Sequence, residues 1–79
     1  MAQTDLTLDQ TMPGQRVTVC RLNIQGGMRR RLQDIGMIPG TKIVCVGTSP
    51  LGDPSAFLIR GAVIAIRKSD SSRIIVSRS

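Results

Sequence analysis

The chain contains no histidine, glutamate, tryptophan or tyrosine, and Phe57 is its only aromatic residue. Without histidine it lacks the commonest general base and the commonest metal ligand. Neither Cys20 nor Cys45 has an imidazole to activate it, and the two lie far outside Cys-x-x-Cys spacing. The five aspartates are scattered, with no pair at helical or strand spacing to set two carboxylates together. Gly26-Gly27 lacks the Gly-Lys of a phosphate-cradling loop. These absences argue against an enzyme, a metal site, a cofactor or a small-molecule substrate. The missing rings exclude the aromatic groove that reads proline-rich peptides. They also remove the stacking platforms that contribute about 1–3 kcal/mol per base to nucleic-acid binding.

Long apolar runs are lacking too. No stretch approaches the roughly 20 residues of a membrane span. Met1 to Gln10 has neither the cationic start nor the apolar run of a signal peptide. The expected compartment is therefore the cytosol, where thiols stay reduced. Cys20 and Cys45 sit in apolar strand contexts and are expected as small core residues rather than a disulfide.

What is present suits one small domain over residues 1–79. Apolar residues make up 41% of the chain and charged ones 20%, a globular balance. A chain of this size buries only about 60% of its unfolded surface, so its core must be efficient. That core has to come from Val, Ile, Leu and Met. Nine arginines and two lysines against five aspartates give a net charge of +6. Such a field favours acidic partners, anionic lipid or nucleic acid without choosing among them.

Thr7 and Gln10 have capping-box spacing, which predicts a helical turn over Leu8 to Met12, ended by Pro13-Gly14. Arg16 to Leu22 alternates as a strand, with Val17 and Val19 on one face. Asn23 is a candidate helix cap, and Met28, Leu32 and Ile35 then form an apolar stripe at i, i+4 and i+7. Gly36 falls where a left-handed terminating residue belongs, with Met37 as its hydrophobic contact. Pro39-Gly40 suits a turn. Thr41 to Thr48 holds the run Ile43-Val44-Cys45-Val46, which reads as a strand buried on both faces. Phe57 and Ile59 share the inward face of the next strand, Gly61 marks a bend or bulge, and Ala62 to Arg67 continues with Ile64 and Ile66 inward. Ser69 to Ser72 reads as a polar turn before a last strand, Ile74 to Val76. Five short strands with one short helix after the first avoid costly open edges by bending into a small barrel, an all-β fold.

The run Pro50-Leu51-Gly52-Asp53-Pro54 joins two of these strands. Two prolines fix φ and remove backbone donors, Gly52 accepts positive φ, and Asp53 is expected to bond its own backbone. So rigid a turn fixes strand register, and it also leaves Leu51 pointing outward, where an apolar side chain suits a partner.

In order and spacing, several motifs resemble the FeoA family, small cytosolic accessory proteins of bacterial ferrous iron transport. They are Arg29-Arg30-Arg31-Leu32, Ile35-Gly36-Met37-Ile38-Pro39-Gly40, the Pro50–Pro54 run, Arg60-Gly61, Ile66-Arg67-Lys68 and Ile74-Ile75-Val76. The resemblance runs from about Leu6 to Val76. It implies an SH3-like five-stranded barrel and a partner, the FeoB-type iron permease with its cytosolic nucleotide-binding domain. It also implies a cytoplasmic protein held at the inner membrane through that partner. Where many members carry an aromatic residue after Arg-Gly, this chain has Ala62, so the ring a stacking role needs is absent.

A chain without histidine, glutamate or clustered cysteines is badly equipped to carry ferrous ion, so its expected action is by protein contact. The contact residues expected are Leu51 with its turn (Gly52, Asp53, Pro54), and Met37, Leu58 and Val63, apolar residues outside the periodic inward set. Arg29 and Arg30, on the helix side away from Met28 and Leu32, suit steering toward an acidic partner face or the anionic inner leaflet. They equally suit an ordinary solvated helix face. The alternatives are a basic barrel that binds nucleic acid, or one that regulates a metal-dependent repressor. The sequence offers no helix-turn-helix for direct operator reading.

Overall fold

A computed structural model describes residues 6–78. Its strands are β1 (Leu6–Thr7), β2 (Arg16–Leu22), β3 (Lys42–Thr48), β4 (Ser55–Ile59), β5 (Ala62–Ile66) and β6 (Ile74–Arg78). Helix α1 (Gly27–Asp34) lies between β2 and β3, and the short helix α2 (Lys68–Ser71) between β5 and β6. The strands form one antiparallel sheet in the order β1-β6-β2-β3-β4-β5. The mainly β, SH3-like architecture matches the expectation. Two details differ. β1 is a sixth strand, held by pairing Leu6 with Val76 and Thr7 with Ile75, and the expected Ser69–Ser72 turn is largely the helix α2.

Apolar residues at strand spacing explain the core. Val17 and Val19 of β2, Ile43 and Cys45 of β3, Phe57 and Ile59 of β4, Ile66 of β5, and Ile74 and Val76 of β6 all turn inward. Phe57, the one ring, is fully buried. Leu8 closes the core from a 3-10 turn, Leu8–Gln10, where Gln10 Oε1 accepts the Thr7 N–H at 3.1 Å. This is the expected turn, shorter than read.

Register slips set which side chains face out. β2 shifts by one residue between Val19 and Arg21, so Cys20 and Arg21 are exposed and Leu22 returns to the core. Cys20 is therefore not the core residue expected; Cys45 is, and both thiols are free. β3 slips between Cys45 and Gly47, leaving Val46 half-exposed. Its burial alternates instead of covering both faces.

Helix α1 begins at Gly27 after Gly26, not at Asn23. The Asn23 N–H donates to Arg73 O at 2.7 Å and so continues the strand-like course toward β6. The helix ends as the sequence predicts. Gly36 has φ +103°, its N–H donates to Gln33 O, and the Met37 N–H donates to Leu32 O at 2.9 Å. Those two bonds satisfy carbonyls that a helix end leaves orphaned. The β4–β5 connection is a two-residue hairpin turn: Ile59 pairs with Ala62, and Arg60 and Gly61 both adopt positive φ. It is tighter than the expected bend.

Candidate partner-binding surface

Leu51 sits at the tip of the β3–β4 connection and is 94% exposed. The turn beneath it is closed by backbone bonds, Gly52 N–H to Ser49 O at 2.8 Å and Ser49 N–H to Pro54 O at 3.1 Å. Asp53 does not bond its own backbone as expected. Its Oδ1 accepts the Lys68 N–H at 2.9 Å, because the β5–α2 corner lies alongside and offers a free helix-start donor. The turn is thus fixed at its root and tied to a second element, with Leu51, Gly52, Asp53 and Pro54 all exposed.

The antiparallel register assembles the rest of the surface. Val44 lies opposite Leu58, and Leu58 opposite Val63, a row across the outer face of β3, β4 and β5. The next row sets Gly47 against Ala56 and Ala56 against Ala65, with Val46 extruded beside it by the bulge. Val63 is 62% exposed, Val46 50% and Leu58 37%. A shallow hollow of about 390 Å³ joins this row to the root of the Leu51 turn through Val46, Ser49, Pro54, Ala56 and Ala65. Leu58 and Val63, singled out separately in the sequence, are cross-strand neighbours. Val44 and Val46 were missed, since their β-branched run reads as interior. Exposed cations border the row: Arg16 stands opposite Val44, and Lys42 follows on β3.

Met37 does not belong to this surface. It is fully buried, drawn under the helix end by the bond that closes the cap, so the contact it makes is the intramolecular one. The arginines of α1 divide. Arg29 Nη1 donates to Leu22 O at 2.8 Å and Ile24 O at 3.3 Å, bracing the β2–α1 connection. Arg30 is exposed on the helix. Of the pair proposed for steering, Arg29 therefore has a structural task of its own.

Among the described residues, no three His, Cys, Asp or Glu side chains come together in a group that could hold a metal ion. Among the same residues, no helix is long and apolar enough to cross a membrane. The outer face offers contact area and positive charge.

Known proteins share both sequence and shape with this chain. The FeoA domain family model matches residues 6–78. The FeoA protein of Chlorobium tepidum is 29% identical, superimposes with a TM-score of 0.88, and is matched over 92% of this chain and 70% of that one. A FeoA-like protein of Clostridium acetobutylicum is 30% identical with a TM-score of 0.85, over 98% of this chain and 90% of that one. A Porphyromonas gingivalis protein named as a fusion of Fe(2+) transport protein A and the Fe(2+) transporter FeoB is 27% identical over 71 residues. That match takes in 90% of this chain but spans only 8% of the fusion protein's length. With a family match over nearly its whole length and the corresponding fold, the chain belongs to the FeoA domain family.

Proposed function

We propose that this protein is a non-enzymatic accessory of ferrous iron uptake that acts by docking on the cytosolic part of a FeoB-type iron permease. The observation that carries this reading is the fusion relative, in which a homologous domain and the ferrous transporter share one chain. A domain that is tethered in one organism can work as a separate chain in another if it has a surface to replace the tether. The exposed apolar side chains of Leu51, Val46, Leu58 and Val63 support that role: they stand on one hydrogen-bonded sheet and on the turn that joins two of its strands. Rigidity lowers the entropy lost on docking. The exposed cations around it favour an acidic patch on the partner, and no metal has to be carried for the contact to work.

Leu51→Asp is the direct test. Because Leu51 is almost fully exposed, the variant keeps its stability within about 0.5 kcal/mol. Binding to the permease's cytosolic domain, measured by titration, falls at least about tenfold, a loss of about 1.4 kcal/mol or more. Ferrous uptake in cells lacking the native protein is correspondingly not restored. A folded Leu51→Asp protein that binds and restores uptake like the wild type removes the turn from the interface.

A further inference from the structure

β5 is the last strand of the sheet, and its outer edge has no strand beside it among the described residues. The two-residue hairpin fixes which backbone groups that edge presents. Ile59 and Ala62 flank the turn and exchange both ladder bonds, so Ile64 and Ile66 also bond toward β4. The N–H and C=O groups of Val63 and Ala65 then point the other way, to the open edge. Between this edge and α1 lies a groove of about 270 Å³, floored by Met28, Leu32, Ile35 and Ile64. Arg31 on α1, Arg67 just past β5 and Asp70 on α2 also line it, two cations to one carboxylate. It is smaller than the roughly 300–1,000 Å³ of small-molecule sites, and its scale is that of one or two side chains.

We infer that the β5 edge and this groove form a binding site for an extended peptide segment of a partner protein, which adds to the sheet as a further strand. The segment pairs with the backbone of Val63 and Ala65 and drops alternate aliphatic side chains into the groove. Carboxylates two positions before and after those side chains, on the same face of the strand, meet Arg31 and Arg67. Strand addition takes affinity from the main chain and specificity from pockets for alternate residues, and this edge offers both. An acidic segment is favoured over a second copy of this chain, because two chains of net charge +6 repel each other. The site shares the strand residues Val63 and Ala65 with the outer face, through their backbone edge and not their side chains, and Leu51→Asp does not touch it, so the two proposals are tested separately.

The experiment is an NMR titration of the intact protein with the capped seven-residue peptide Asp-Thr-Leu-Thr-Leu-Thr-Asp, whose leucines and aspartates share one face of the strand. Expected are saturable shifts at the Val63 and Ala65 amides and around Met28 and Ile35. Affinity drops at least tenfold for the same peptide with lysine in place of aspartate. It drops at least tenfold again when the peptide's alternate backbone nitrogens are methylated, a control that needs no protein variant. Ala65→Pro removes an edge-facing donor while leaving the β4 ladder intact, and it costs at least tenfold as well. In the free protein, the Val63 and Ala65 amides exchange with solvent faster than those of Ile64 and Ile66. The inference is overturned by no saturable binding, by equal binding of the methylated peptide, or by shifts confined to Val44 and Leu58. A self-associating chain that Ala65→Pro turns into a monomer overturns it in favour of edge pairing between copies.

Discussion

Gly36 and Arg60 meet where the end of α1 faces the β4–β5 turn. A Cβ built on Gly36 would come within 2.6 Å of Arg60 Cδ, at a position where φ is already +103°. The left-handed conformation alone costs a non-glycine residue about 1–2 kcal/mol. Gly36→Ala should therefore lower stability by at least that amount, measured by denaturant unfolding. Combined with Arg60→Ala, the loss should shrink toward the backbone part alone, a coupling of about 0.5 kcal/mol or more. The arginines of α1 separate by the same kind of reasoning. Arg29→Ala should cost about 1–2 kcal/mol, because two carbonyl oxygens lose a charged donor. Arg30→Ala should leave unfolding unchanged within about 0.5 kcal/mol. Equal effects from both would contradict the division between bracing and surface charge. Before folding, both arginines look alike. No pattern in the sequence shows that the carbonyls of Leu22 and Ile24 come within reach of one side chain only.

Elements were legible in proportion to their periodicity. The apolar stripe of α1, its glycine terminator and the alternation of β2 and β4 carry enough repeats to be read directly. β1 has two residues and exists by pairing with β6, while α2 has four, so neither shows a period. The one-residue slips in β2 and β3 mislead in the same direction, each exposing a residue that reads as interior. One turns Cys20 out of an interior context, and the other leaves Val46 half-exposed beside the buried Cys45. In the sequence Met37 suits both the contact that closes the helix and a surface position; the cap geometry allows only the first. The Asp53 side chain is a long-range case, since its acceptor serves Lys68, fifteen residues on. Asp53→Ala should leave that helix-start donor unsatisfied, at a cost of about 0.5–2 kcal/mol. Amide exchange should quicken at Lys68 and across the Leu51 turn, while β2 and β6 stay protected. Unchanged exchange at Lys68 would show that the carboxylate adds nothing there.

For the molecule as a whole, charge and shape act on different stages of an encounter. A net charge of +6 speeds approach to an acidic surface, and salt screens that attraction over about 10 Å at 0.1 M. Association with the permease's cytosolic domain should slow at least about tenfold between low and high ionic strength, with dissociation changing much less. Stopped-flow mixing at several salt concentrations checks this; a salt-independent rate would mean that the cations play no part in approach. The bond from Asp53 to Lys68 gives the architecture one more property. It lashes the leucine-bearing tip to the corner from which Arg67 projects, so neither can swing without dragging the other. A protein gripping the tip thereby steadies the corner, and two neighbouring patches of the surface are joined by a single bond.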